Sequence, residues 1–183
     1  MYHEMKIAGL TRRLPLCKLN DELNIAAFVI FGDSELTVAA ARDLLELAPE
    51  YDFIVTAEAK GIPLAHEMAR QSGNKKYIVA RKNPKLYMTG VFEAHVNSIT
   101  TLGQQTLYLD TAEADAICGK RVLIVDDVIS TGESLNAVEQ LVTKAGAIIA
   151  GKMAILAEGD AQNRSDLIYL EKLPLFDKNG NAI

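Results

Sequence analysis

The sequence has no tryptophan, only two cysteines and five prolines, and no apolar run near the twenty or so residues that a bilayer span requires. Cys17 and Cys118 lie far apart, belong to no CxxC pattern and have no histidine at metal-ligand spacing. They read as packing residues rather than a disulfide framework or a zinc site. Neither a membrane span nor a leader is expected, so the chain reads as soluble and cytoplasmic. Positive charge is also scarce: 19 Lys and Arg against 24 Asp and Glu give a formal net charge of -5. That sign is wrong for coating nucleic acid or an anionic membrane, and neither partner is expected. Any anion site has to be local. One stretch lacks acids altogether, because Met68 to Phe92 contains no Asp or Glu but holds Arg70, Lys75, Lys76, Arg81, Lys82 and Lys85. A solvated face normally mixes signs, so this stretch is the candidate seat of a polyanion. Lys75 and Lys76 precede a strand at its far end and read as surface lysines, whereas Arg81 and Lys82 end it on the ligand side.

What is present fits one domain: 183 residues, 49% of them hydrophobic. Residues 1–32 have short apolar pieces broken by Pro15 and form a small N-terminal appendage. Residues 33–183 form the core, in which strand and helix signals alternate as in an α/β protein with a mostly parallel central sheet flanked by helices. A helix is expected from Asp33 or Ser34 to about Ala48, stopped by Pro49. Phe53 to Ala57 reads as a buried strand, Gly61 to Gln71 as a helix, and Tyr77 to Ala80 as a second strand. Two β-prone arms, Val91 to Asn97 and Gln105 to Leu109, suggest a hairpin whose tip spans Ser98 to Gly103. A short helix follows Thr111, Arg121 to Val125 is strand, Glu133 to Ala145 is helix, and Ala147 to Leu156 is strand. Leu167 to Phe176 holds one more β-prone piece.

The chemistry concentrates in Val122 to Ser134, VLIVDDVISTGES. A buried strand delivers two adjacent carboxylates toward its carboxyl end, where open α/β sheets bind ligands. Small hydroxyl residues and a glycine follow, leading straight into a helix. Such a loop turns N–H groups and hydroxyls on a phosphate, and the helix dipole favours the anion. The carboxylates would repel that anion unless they hold sugar hydroxyls or Mg2+, and a phosphorylated sugar satisfies both halves. Taken alone, the same residues could merely end a strand and cap a helix.

This thirteen-residue segment resembles the phosphoribosyl-pyrophosphate motif of type I phosphoribosyltransferases, with four apolar residues, two acids and the Thr-Gly loop in register. Thr56 to Leu64, TAEAKGIPL, is similar to the pyrophosphate loop of the purine branch, and Arg81 to Leu86, RKNPKL, to its Arg-Lys-x-x-Lys-Leu stretch. The order and spacing of the three blocks match from about Asp52 to Glu158. The resemblance implies a type I phosphoribosyltransferase fold with a hairpin lid at 87–105 and a small N-terminal hood. It also implies transfer of the phosphoribosyl group of 5-phosphoribosyl 1-pyrophosphate to a nucleobase, with Mg2+ as cofactor and a homodimer as assembly.

Carried over by position, Asp126 and Asp127 would bind the ribose hydroxyls and the metal. Ser130, Thr131, Gly132, Glu133 and Ser134 would cradle the 5-phosphate, Glu133 by its amide. Glu58, Ala59, Lys60, Gly61, Arg81, Lys82 and Lys85 would serve pyrophosphate, with a cis peptide at Ala59–Lys60. Displacing pyrophosphate from the anomeric carbon builds negative charge on the leaving group, so Lys60, Arg81 and Lys82 are the catalytic candidates. Water has to be excluded, for which the hairpin is the candidate lid. For the base, Phe31 in Ile30-Phe31-Gly32-Asp33 is the candidate stacker, with a core phenylalanine as the plain alternative, and Glu158 is a second base-site candidate. Adenine enzymes carry Ser-Leu-Glu-Tyr in the lid. This chain has Ser98-Ile99-Thr100-Thr101, nearer to the Ser-x-Thr loops of xanthine-type and purine-regulator relatives.

Two alternatives stay open. An orotate enzyme shares the Ile129-Ser130-Thr131-Gly132 loop type, although Glu58-Ala59-Lys60-Gly61 tilts toward purines. A non-catalytic sensor of the same ligand would carry a DNA-binding module, and about thirty residues before the first core helix leave little room for one. Gly146 to Met153 fails as a P-loop because its interior is β-prone, and His66-Glu67-Met68-Ala69-Arg70 fails as a zinc-protease helix because Arg70 stands where histidine is required.

Overall fold

A computed structural model describes residues 1–73, 76–97 and 104–183. The expected hairpin tip at 98–103 lies outside the described residues, as does Lys75. Polar and apolar residues alternate along strands β1 (Tyr2–Ile7) and β2 (Leu10–Lys18), and burial alternates with them. They are joined through Ala8 and Gly9, both at positive φ (48° and 81°), as a tight hairpin turn of this hand requires. Strand β3 (Leu23–Ala26) follows. Helix α1 (Ser34–Leu47) begins at the expected cap, with the Asp33 side chain accepting from the Leu36 N–H. Arg12 ties the N-terminal hairpin to this cap, reaching Asp33 at 2.6 Å and Glu35 at 2.8 Å.

The core then runs β4 (Phe53–Ala57), α2 (Ile62–Gln71), β5 (Tyr77–Ala80), the antiparallel arms β6 (Val91–Asn97) and β7 (Gln104–Asp110), and α3 (Thr111–Ile117). It continues with β8 (Arg121–Ile129), α4 (Glu133–Lys144), β9 (Ile148–Glu158), a 3-10 turn at Gly159–Asn163, β10 (Ile168–Leu173) and β11 (Leu175–Asp177). Five strands form the parallel central sheet in the order β10-β9-β8-β4-β5. The α/β class expected from the alternating signals is the one observed. The P-loop-like stretch lies largely within β9, as its β-prone interior requires.

Both faces of this sheet are covered, which is why β5 and residues 122–125 of β8 read as unbroken apolar runs. Leu123 and Val125 of β8 pack with Leu36, Leu44, Leu64 and Met68 of α1 and α2. Val122 and Ile124 face the other way, onto Leu135, Val138 and Leu141 of α4 and Ile117 of α3. Each fully buried Leu or Ile stabilises the fold by about 1.5–3 kcal/mol relative to exposure.

Two features differ from the sequence reading. Strand β8 runs to Ile129 rather than stopping at Val125, because Val128 and Ile129 keep pairing with Leu156 and Ala157 of β9; Asp126 and Asp127 therefore sit on a strand. The N-terminal segment and the tail, read as separate pieces, meet in one sheet of order β1-β2-β3-β11. Leu175 pairs with Ile25 and Asp177 with Leu23.

Candidate active site

From β4 the chain steps through α2 to β5 on one side, and from β8 through α4 to β9 and β10 on the other. Such a reversal between neighbouring parallel strands leaves a crevice at their carboxyl ends. A cavity of about 350 Å³ opens there, lined by Ala57 to Lys60 after β4, by Asp126 to Leu135 along and after β8, and by Lys82. Among the expected site residues, the structure thus brings Glu58, Ala59, Lys60, Lys82, Asp126, Asp127 and Ser130 to Ser134 to one cleft.

The two carboxylates at its floor are not equivalent. Asp126 accepts the backbone N–H of Asp127 at 2.8 Å. Burial first, and then the charge of Asp127, push its carboxyl up from the usual range to about 7. Asp127 is almost fully buried, and Lys60 Nζ stands 3.0 Å from its Oδ2 as counter-ion. That approach is not aligned as a hydrogen bond, and the oxygen has no hydrogen-bond partner among the described residues. One lysine therefore serves two acids. The pair is short of positive charge and of donors, as a site awaiting hydroxyls or a cation should be.

At one end of the cleft, Ser130 to Ser134 forms the turn into α4. Gly132 is the N-cap, with φ +79° and no side chain capping the helix, so first-turn N–H groups are open to an anion. The Glu133 N–H reaches the Thr131 hydroxyl at a long 3.5 Å. At the other end, the Glu58 carboxylate faces the basic block: Oε1 lies 3.3 Å from Arg81 Nη1 and 3.8 Å from Lys85 Nζ, while Oε2 accepts the Lys82 N–H at 3.2 Å. Arg81 and Lys85 do not line the cleft, and are linked to it through Glu58. Arg81 also exchanges two backbone hydrogen bonds with Tyr108, fixing the end of β5 to β7. The cis peptide is Glu58–Ala59, one residue earlier than the resemblance implies.

Gly61 joins the two loops. A Cβ there would lie 2.1 Å from Thr56 Oγ1 and 3.0 Å from Asp126 Oδ1, so no side chain fits where the turn after β4 crosses the floor of β8.

The base-site candidates are not brought in. Phe31 is 51% exposed, which removes the core-phenylalanine alternative, and it is absent from the cleft lining. Glu158 is buried at the end of β9 opposite Leu173. Sequence reasoning missed a charged network beside the phosphate loop, in which Lys152 pairs with Glu139 and Asp166, and Arg164 pairs with Asp166.

Comparison with known proteins agrees with this geometry. The phosphoribosyl transferase domain matches residues 33–171. A protein of Methanococcus voltae named hypoxanthine/guanine phosphoribosyltransferase is 36% identical over 135 residues, covering 74% of this chain and 68% of its own. One of Renibacterium salmoninarum named adenine phosphoribosyltransferase is 33% identical over 139 residues, covering 75% and 73%. The crystal structure of an adenine phosphoribosyltransferase from Thermoanaerobacter pseudethanolicus shares the fold, with a TM-score of 0.66 and 22% identity over 79% of this chain and 84% of that one.

Proposed function

From its membership of the phosphoribosyl transferase domain family, to which this chain belongs, we propose how the cleft works. The chain is a purine phosphoribosyltransferase, and the reaction moves the phosphoribosyl group of 5-phosphoribosyl 1-pyrophosphate to a ring nitrogen of the base, releasing pyrophosphate. The observation that carries this reading is one cleft in which two adjacent, under-compensated carboxylates lie between the Ser130 to Ser134 turn and the cations Lys60 and Lys82, with Arg81 tied to the cleft through Glu58.

In this reading the 5-phosphate sits on Ser130 to Ser134, held by N–H groups, hydroxyls and the start of α4. Asp126 and Asp127 accept the ribose hydroxyls, which fixes the anomeric carbon between the base and the leaving group. Lys60, Arg81 and Lys82 face the pyrophosphate, on which negative charge grows as the bond to the anomeric carbon breaks. Lys60 can turn from Asp127 toward it, since half of its side chain is exposed. Positioning and charge stabilisation carry the rate, and no residue forms a covalent bond to the sugar.

Mg2+ fits this donor set. Two carboxylates, with no cluster of three metal-ligating side chains among the described residues, suit an ion that keeps water and substrate oxygens in its shell. Asp126 and Asp127 would hold it, and when bound it would neutralise charge on the leaving group. A base stacked on Phe31 would lie beyond the cleft lining; a hairpin closing over the cleft, a homodimer and a cytoplasmic salvage role complete the reading. The lid sequence Ser98 to Thr101 carries no acid, which supports a 6-oxopurine acceptor over adenine. The test is pyrophosphate release with adenine, guanine, hypoxanthine, xanthine or orotate in the presence of Mg2+. Release with guanine, hypoxanthine or xanthine is expected. Release with orotate alone, or with no base, would overturn the reading.

A further inference from the structure

Among the described residues, no cation lines the Ser130 to Ser134 end of the cleft. The cations lining the cleft, Lys60 and Lys82, belong to the opposite end, where Asp127 and Glu58 engage the same block. A phosphate on Ser130 to Ser134 would bring about two negative charges to a turn whose own donors are N–H groups and hydroxyls.

Directly behind this loop lies Arg164. It follows the 3-10 turn after β9, where its N–H reaches the Ala161 carbonyl. Its Nε and Nη2 donate to the two oxygens of Asp166 at 3.0 and 2.8 Å, the planar fork-on-fork geometry that fixes a guanidinium in direction as well as place. Nη2 also lies 3.7 Å from Glu139 on α4. Lys152 pairs with both acids, so the two cations and two acids sum to zero and the Nη1 edge of Arg164 is the positive side of a neutral network. The remaining edge, Nη1, points at the phosphate loop: a Cβ on Gly132 would lie 2.8 Å from it. Gly132 is thus constrained twice, by its left-handed backbone and by the guanidinium against its Cα.

We propose that Arg164 is a positioning residue for the 5-phosphate, holding the Gly132 turn in its binding shape and supplying positive charge through it, so that the enzyme selects a phosphorylated ribose. The inference rests on the reading of Ser130 to Ser134 as the phosphate loop. Arg164 stands outside the cleft lining and acts through the Gly132 backbone. Asp166 orients it, and the link to Glu139 makes the loop and α4 one unit.

The test compares parent, Arg164→Gln, Arg164→Lys and Asp166→Asn in the full chain, with ribose 5-phosphate and inorganic pyrophosphate as separate inhibitors. Loss of one charge-assisted contact corresponds to roughly a tenfold weaker grip on ribose 5-phosphate. The expected result is that rise for Arg164→Gln with pyrophosphate inhibition unchanged, KM for the phosphoribosyl donor raised, and kcat little altered. Arg164→Lys, which restores charge without the fork, should recover part of the loss, and Asp166→Asn should show a smaller change of the same pattern. Equal weakening of both inhibitors, weakening of pyrophosphate alone, or no change in either would overturn the proposal. Should Arg164→Gln fail to fold, the lysine and Asp166 variants carry the same comparison. If ribose 5-phosphate and pyrophosphate both fail to inhibit the parent, the reading of the cleft fails instead, a result distinct from a parent that binds both and a variant that binds both as well.

Discussion

The two ends of the cleft offer an anion opposite kinds of partner. After β8, the turn Ser130 to Ser134 offers hydroxyls, backbone N–H groups and the uncapped start of α4. After β4 and β5, the chain offers side-chain charge, with Lys60 beside Asp127, Arg81 and Lys85 beside Glu58, and Lys82 in the cleft lining. A site made of backbone depends on shape, so it is harmed by adding atoms and tolerates the loss of a hydroxyl. A site made of side chains depends on charge, and the sensitivities reverse.

The sharpest way to break this contrast is at Gly61, where both ends meet. Gly61→Val places a Cβ 2.1 Å from Thr56 Oγ1 and is expected to lower kcat/KM by at least about a hundredfold, near 2.7 kcal/mol in transition-state stabilisation. Adding Thr56→Ala should restore part of that activity. If the single variant keeps parental kinetics, the crowding at this crossing is not functional.

Asp126→Asn ranks next. Removing a charged acceptor should weaken phosphoribosyl-donor binding by roughly 1.5–3 kcal/mol, measured by titration calorimetry. Stability should move the other way. The Asp126 carboxyl is raised in the folded chain from 3.8 to about 7, so its neutral form favours folding fully at low pH, and that contribution is lost as pH rises through about 7. Asp126→Asn should therefore melt higher than the parent at pH 8 and show a flatter dependence between pH 4 and 7. A parent whose Tm rises across that window, with the variant following it, would contradict the assignment.

At the charged end, Arg81→Ala and Lys82→Ala should reduce turnover by roughly tenfold each, about 1.4 kcal/mol, while nucleotide product binding changes little because the product carries no pyrophosphate. Equal losses for product and donor would make these residues structural, and the contrast between the two ends would collapse. The smallest effects should fall on Ser130→Ala and Ser134→Ala. Each removes a neutral hydroxyl worth about 0.5–1.5 kcal/mol, so a several-fold rise in KM at near-constant kcat is expected. A hundredfold loss at either serine would show that side chains, not backbone, hold that phosphate.

How far the sequence could be read follows from which forces act locally. The strand-loop-helix from Val122 to Ser134 was legible because its strand is covered on both faces and its acids, hydroxyls and glycine are contiguous. Asp33 was legible as a cap for the same local reason. The end of β8 was placed too early because Asp126 and Asp127 look like a strand terminus, and only pairing with β9 carries them inside. The union of β3 with β11 joins residues some 150 positions apart, beyond any periodicity. Ile7-Ala8-Gly9-Leu10, a glycine turn between alternating arms, was the overlooked local signal of the N-terminal hairpin. Arg164 belongs with these long-range features: nothing in its neighbours along the chain shows that it lies against Gly132, and the same holds for Phe31 and Glu158, whose placement away from the cleft lining comes from tertiary packing.

The Glu58 carboxylate, set between Arg81, Lys85 and the Lys82 N–H, gives the cleft a built-in counter-ion. On the proposed reading, arrival of pyrophosphate there is an anion exchange rather than a first neutralisation. The free energy available at that end is the difference between a phosphate and a carboxylate on the same cations, smaller than the full attraction of bare charges. Departure is eased by the same difference, since the cations return to a partner already at hand. A highly charged leaving group can thus be held during the reaction without becoming a trapped product.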